Sequence, residues 1–552
     1  VGARRGGGYE ARMRLLGLSL VVVACGPPPV DPNVVERSGG VAIRRDVMRV
    51  AAPKPPPNPV TGAATPDEYD AVTVVRYRVD TGAAPARPAR AIVLLMPGFM
   101  GGAGSFDALA RGIVRRSTAE APLEAWAIDR RSNGMEDRRG IEAAWRAQNA
   151  DLLTGYYFEG AAIDGQTFAG FKRQADVSFA SEWGLAATMA DLRAVVAKVP
   201  ADQRKARVVL AGHSLGAALT SIYAAWDFDG VAGTSELAGL VLIDGVTGSE
   251  GAALGVTQAE YETQGLMNQG FGGRPSVKQV REEVRYFAFP LLDAKLFPIG
   301  VGTAMRAMWK PDAVERDQPR REALETLFLS SDLPRMTNRA AFGLAFDGAT
   351  CPVSIAAVNA GATDGPLLDA SSPFGGAIKK PAGTNQTFRW TEFDALDPPE
   401  VTSLSEFALA WSRPGADFGE WYFPTRLSLD VALGATLTLA PPDWPVTAWG
   451  VRALHGRAID APVLVEAAGI LGADVSRYDK LKALLPPVGD GRPQAGVPRT
   501  DRNGFEAISH PGFTHIDPLA GADRPGSAMA AWFDAVADFA RRNTPAGGVV
   551  VP

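Results

Sequence analysis

Residues 207–226 read Arg-Val-Val-Leu-Ala-Gly-His-Ser-Leu-Gly-Ala-Ala-Leu-Thr-Ser-Ile-Tyr-Ala-Ala-Trp. Arg207 to Ala211 holds a short continuous apolar run, the pattern of a strand covered on both faces. Gly212 breaks the run, and a small-residue helix is expected from Ser214 to Trp226. Gly212-His213-Ser214-Leu215-Gly216 fits G-x-S-x-G, which puts a serine on a sharp strand-to-helix turn. Bulky neighbours would clash in so tight a turn, which accounts for the glycines on either side. The hydroxyl then projects above the sheet, near the positive end of the following helix. A bare match of this kind arises by chance in a chain this long; the buried strand before it and the helix after it give it weight. The plainer alternative is a serine capping a helix after a glycine turn.

Working outward, strands are expected at Val72 to Val79, Ala91 to Met96, Glu124 to Ile128, Gly239 to Ile243, Ala461 to Val465 and Phe505 to Ile508, with helices at Ala186 to Val199 and Ala528 to Arg542. Buried strands separated by helices make this an α/β chain: a mostly parallel sheet flanked by helices. Residues 246–454 break the rhythm and are expected to be a large inserted cap over the carboxyl edge of the sheet. Helical pieces fall at Val277–Phe289 and Arg320–Leu329, and the segment carries Trp309, Trp390, Trp411, Trp421, Trp444 and Trp449. An independent second domain is the alternative.

The segments 71–245 and 455–545 resemble the α/β-hydrolase superfamily, and look closest to secreted bacterial hydrolases within it. Besides the serine turn, Pro97-Gly98-Phe99-Met100-Gly101-Gly102 follows a buried strand, where the superfamily often has a His-Gly-Phe-type loop; Pro97 stands here in place of that histidine. The loop's task needs only backbone N–H groups, so the replacement is tolerable. The resemblance implies that the N–H groups of Phe99 and Leu215 form an oxyanion hole, with Ser214 as nucleophile. Asp129-Arg130-Arg131 after the next strand also looks family-like, and a structural ion pair is expected there rather than chemistry.

A serine hydroxyl needs a positioned base, and the chain has only 4 histidines. His213 sits inside the turn and His455 precedes the strand that begins at Ala461. His510 and His515 follow the last strand, where the superfamily order of serine, acid, histidine puts the base. Gly512-Phe513-Thr514-His515-Ile516-Asp517 resembles the histidine loop, so His515 is the expected base and His510 its rival. Three carboxylates compete for the acid. Asp244 ends the strand after the serine helix, where some lipases and dehalogenases of the superfamily carry theirs; Glu466 ends the next-to-last strand; Asp474 lies in the turn beyond, where most members place theirs. The usual spacing is absent there, Glu466 coming early and Asp474 late, and Asp244 is the expected acid.

The expected activity is a serine hydrolase cleaving carboxylic esters, on a small-molecule or lipid-like substrate, through a Ser-His-acid triad and an acyl-enzyme. A peptidase or amidase with the same triad is the near alternative, because specificity would reside in the cap. An inert binding lipoprotein on a hydrolase scaffold is the distant one. No cofactor and no metal are expected: neither a zinc-spaced ligand cluster nor a G-x-x-x-x-G-K phosphate cradle is present.

Composition bounds the rest. With 552 residues, 46% of them hydrophobic, 56 basic against 61 acidic side chains and a net charge of −5, the chain is of globular type, and nucleic acid is not an expected partner. Two cysteines, Cys25 and Cys351, cannot build a disulfide framework. Arg12 and Arg14 precede an apolar run from Leu15 to Ala24, too short to span a bilayer and fitting a secretory signal. Its end, Val22-Val23-Ala24-Cys25, resembles the lipobox of bacterial lipoproteins, which implies cleavage before Cys25, a lipid on its sulfur and a place in the bacterial cell envelope, anchored to a membrane. Residues 1–25 are thus expected to be a signal peptide and the proline-rich 26–70 a tether; Met13 is an alternative start, which would put Val1 to Arg12 outside the protein.

Overall fold

Ala91-Ile92-Val93-Leu94-Leu95-Met96 is apolar at every position because both faces of its strand are covered. The computed structural model describes residues 34–38, 41–82, 87–245, 256–266, 274–288, 293–437 and 445–551. Nine strands form its main sheet: β1 (Val34–Ser38), β2 (Val41–Ala51), β3 (Ala71–Val79), β4 (Ala91–Met96), β5 (Leu123–Asp129), β6 (Val208–His213), β7 (Gly239–Ile243), β8 (Val463–Ala467) and β9 (Phe505–Ser509). Their order is β1-β2-β3-β5-β4-β6-β7-β8-β9. The first three pairings are antiparallel. From β5 to β9 the strands run parallel.

Helices α1 (Asp107–Arg115), α2 (Leu185–Val196), α3 (Leu215–Ala225) and α4 (Ala528–Arg542) cover the sheet. The period of two in a strand splits β4 between the two layers. Ile92, Leu94 and Met96 pack with Leu192, Leu219 and Ile222 from α2 and α3. Val93 and Leu95 pack with Leu109, Ile113, Phe533 and Val536 from α1 and α4. A parallel sheet buried in this way leaves only its carboxyl edge open for a ligand.

Above that edge lies the cap. Helices Leu296–Trp309, Asn338–Phe346 and Leu404–Ser412 form its body. Their apolar sides join Tyr156, Tyr157 and Trp183 in one cluster with Met305, Phe342, Phe407 and Trp421. The cap is therefore built from two stretches of chain, because helices Arg139–Ala147 and Asp151–Phe158, inside the segment expected to be core, pack into it. Conversely, helix Thr425–Leu437 from the expected insertion lays Leu427, Leu429 and Leu433 on the α2/α3 layer of the sheet.

The expected tether needs a larger correction. Ile43 to Ala51 pair without a break with β3, burying Ile43, Arg45 and Val50. Proline content dominates the composition of 26–70 and hides the β-forming run between its two proline clusters. The second cluster is docked as well. The Asn58 side chain is fully buried and donates to the carbonyls of Ser178 and Arg281, each at 2.9 Å. The expected signal segment and Cys25 lie outside the described residues.

Candidate active site

Phe99, Ser214, Asp244, Glu466, His510 and His515 all stand at or just beyond the carboxyl end of a strand in the sheet's parallel half. Ser214 follows β6 with φ 57° and ψ −123°, a sparsely populated conformation that costs about 1–3 kcal/mol and is kept only where its surroundings enforce it. They do so here. The Ser214 N–H donates to the Ile243 carbonyl of β7 at 2.9 Å. A Cβ on Gly216 would come within 2.1 Å of the Met96 carbonyl oxygen, so α3 can leave the turn this close to β4 only with glycine there.

Asp244, directly after β7, is fully buried. Its Oδ1 accepts from the amides of Ala468 at 2.9 Å and Leu471 at 3.2 Å, and its Oδ2 from Ile470 at 2.9 Å. Oδ2 also accepts from His515 Nδ1 at 2.7 Å. Burial works against the carboxylate's charge, yet the imidazole and these amides together hold its pKa below the ordinary value. The loop after β8, where an acid was sought at Asp474, thus supplies N–H donors to Asp244 instead. Asp474 is on the surface, its Oδ1 accepting from the Ser476 amide at 3.0 Å.

His515 is 5% exposed and His510 7%, so burial does not separate the two histidines; the cavity does. His510 Nδ1 faces Glu466 Oε1 at 2.9 Å, and its ring stacks on Phe513 at 4.6 Å. Burial raises Glu466 to about 7, with His510 pulling the other way. This second histidine–carboxylate pair lies off the cavity that Ser214 and His515 share. With Nδ1 committed to Asp244, the second ring nitrogen of His515 is the one left for a reacting group. Among the described residues no hydrogen bond joins it to Ser214 Oγ, a contact that in unliganded sites often closes only with substrate. His213 is a strut: its Nε2–H donates to the His515 carbonyl at 2.8 Å, and burial, then the nearby His515 charge, lowers its pKa to about 3.

The loop after β4 brings Phe99 to the same cavity. The Phe99 amide has no acceptor among the described residues. The Leu215 amide opens α3, where first-turn N–H groups have no partner inside the helix. Phe99's ring is wedged edge-on against Phe287 at 4.9 Å and Phe423 at 4.7 Å. Asp129, Arg130 and Arg131 make the expected structural contacts: Arg130 pairs with Glu420 at 2.5 Å, Arg131 with Asp191, and Asp129 Oδ1 accepts from the Ala103 amide at 2.5 Å.

The cavity measures about 210 Å³, and from Ser214 it runs beneath the cap between Phe297, Leu324, Phe346, Ile355, Trp411 and Phe418. Of the cap tryptophans, only Trp411 is among its lining residues; Trp421 is fully buried in the cap core, and Trp444 lies outside the described residues. Cys351 also lines the cavity, and burial pushes its thiol up to about 12, far from a reactive thiolate. Among the described residues no cluster of histidine, cysteine and carboxylate side chains could hold a metal ion.

The strand order, with a serine on a sharp turn after β6 and a histidine beyond β9, is that of the α/β-hydrolase fold. No protein-family model matches the chain, and no curated protein sequence does. Solved structures similar to it include a candidate lipase from Sulfolobus solfataricus, at 12% identity and TM-score 0.40 over 92% of this chain and 98% of that one. A soluble variant of monoglyceride lipase from Saccharomyces cerevisiae is similar at 11% identity and TM-score 0.33, over 86% and 93%. A thermophilic esterase from Thermogutta terrifontis is similar at 12% and 0.31, over 90% and 100%.

Proposed function

We propose that this α/β-hydrolase-fold chain is a serine hydrolase that cleaves carboxylic esters with an apolar acyl or alcohol part. The observation that carries the proposal is the buried Asp244–His515 pair opening onto the cavity that also holds Ser214. Ser214 Oγ attacks the ester carbonyl carbon while His515 takes its proton. Asp244 stays ionised, fixes the tautomer and stabilises the imidazolium. The Phe99 and Leu215 amides receive the charge developing on the carbonyl oxygen, a contribution of about 3–4 kcal/mol for each donor. Collapse of the tetrahedral intermediate breaks the ester C–O bond, and His515 returns the proton to the departing alcohol. Water, deprotonated by His515, then releases the acid and restores the serine.

The apolar lining favours an ester over a peptide: a main-chain amide would bring N–H and C=O groups for which the cavity wall has few partners. A fluorophosphonate probe should label the protein and fail on Ser214→Ala. A panel of nitrophenyl esters run beside peptide anilides should show turnover of the esters alone; preferred cleavage of the anilides would establish the amidase alternative. The proposal extends to the address in residues 11–26, lipidation at Cys25 tethering the enzyme in the bacterial envelope. Metabolic labelling with an alkynyl fatty acid, lost on Cys25→Ser, tests that part separately.

A further inference from the structure

The buried Arg130 guanidinium grips the loop after β4 from behind. Its Nη2 donates to the carbonyls of Pro97 and Gly98, the latter at 2.8 Å, and its Nη1 to that of Gly101 at 3.2 Å. The Gly98 carbonyl belongs to the same peptide unit as the Phe99 N–H. That unit is trans, so its C=O and N–H point in opposite directions. A donor fixed on the Gly98 oxygen therefore turns the Phe99 N–H away from Arg130. It also polarises the unit and makes that N–H a stronger donor.

The guanidinium is itself held. Nη1 pairs with Glu420 Oε2 at 2.5 Å, and Ser132 Oγ donates to the other oxygen of that carboxylate. Glu420 reaches the loop by a second route, its own amide donating to the Met100 carbonyl at 2.8 Å. The face of Arg130 lies 5.3 Å from the Phe423 ring, which is one of the two rings that wedge Phe99.

We infer that Arg130 is a positioning residue for catalysis: by binding the Gly98 carbonyl it aims and strengthens the Phe99 oxyanion donor, with Glu420 of the cap holding it in place. The inference rests on the serine-hydrolase reading and adds to it a residue that never touches substrate. Arg131 provides the internal control. It is equally buried in the same turn and pairs with Asp191, but its other contacts go to the Asp70 carboxylate, the carbonyls of Tyr69 and Pro53 and the Trp183 ring, not to the loop.

The test compares Arg130→Met, Arg130→Lys and Arg131→Met with the wild type in nitrophenyl ester turnover, in thermal midpoint and in affinity for a trifluoromethyl ketone, whose adduct with the serine carries the oxyanion. Arg130→Met should lower kcat by about 100-fold with KM little changed, and weaken the ketone by a similar factor. Arg130→Lys keeps the charge beside Glu420 but loses the fork. It should fold and still lose about tenfold in kcat and in ketone affinity. Arg131→Met should lower the midpoint while keeping kcat and ketone affinity near wild type. The inference is overturned if both Arg130 variants behave as Arg131→Met does, or if they change KM alone. A wild-type protein that neither turns over esters nor labels with a fluorophosphonate overturns the serine-hydrolase reading itself, and this inference with it.

Discussion

Asp244 and His515, 271 positions apart in the chain, meet at 2.7 Å at the carboxyl edge of the sheet, across the end of β8, which lies between β7 and β9. The carboxylate is buried and the ring nitrogen facing it must carry a proton, so the other nitrogen is the free base. Replacing Asp244 with Asn would let the amide hold the wrong tautomer. Turnover of a nitrophenyl ester should fall by about 10⁴-fold with the fold retained. Glu466→Gln and Asp474→Asn, measured alongside, should stay near wild type. A larger loss in either would move the acid away from Asp244.

His510 and His515 are both buried and both bonded to a carboxylate, and the cavity distinguishes them. His515→Ala should reduce ester turnover by several orders of magnitude. His510→Ala should act on stability, through the loss of its Glu466 partner and its stacking on Phe513. Parallel kinetics and thermal melts on the two variants read this directly.

Gly98 stands against the serine. A Cβ there would lie 2.8 Å from Ser214 Cβ and 3.3 Å from its Oγ, so either the loop or the hydroxyl must move. A misplacement of about 1 Å at the reacting atoms costs about 100-fold, and Gly98→Ala should lose that much in kcat. Fluorophosphonate labelling should slow in step with it, and unchanged labelling would show that the loop yields freely.

The serine turn, the loop at 97–102 and the histidine loop were legible because each is local: a few residues carry both the backbone shape and the group that reaches the cavity. The carboxylate that partners His515 was harder to read. Asp244 is held toward it by amides from Ala468, Ile470 and Leu471, which reach it only after the sheet has formed. β2 was hidden for a different reason. Its pairing with β3 fixes Ile43 and Val50 in the interior, but the prolines on both sides dominate the composition of that region. The division of the cap between residues before β6 and after β7 is a matter of packing, and nothing in the spacing of Tyr156, Tyr157 and Trp183 announces which layer they join.

His213 should set an acid limb on stability. Its folded pKa is about 3 against an ordinary value of 6.5, burial being the main cause. Between those values the unfolded chain binds the proton and the folded chain does not. The neutral ring's contribution is therefore complete above pH 6.5 and declines as the pH falls toward 3. The slope is about 1.4 kcal/mol for each pH unit. His213→Gln keeps an N–H for the His515 carbonyl and does not titrate. Urea unfolding across this range should show a shallower decline for the variant, and superimposable slopes would remove His213 from the account.

The cavity should measure the substrate. Ile355 is half-buried in its wall and contributed by the cap rather than by the sheet. Ile355→Trp would fill space that an acyl or alcohol chain would otherwise occupy, without touching Ser214, His515 or the loop at 97–102. In an apolar pocket each methylene is worth about 1–3 kcal/mol, or tenfold or more in kcat/KM. The variant should keep wild-type kcat/KM for nitrophenyl acetate and lose increasingly with each added methylene. Equal losses along the series would mean that the chain of the substrate lies elsewhere, and a gain with longer chains would mean that the new indole forms part of the site.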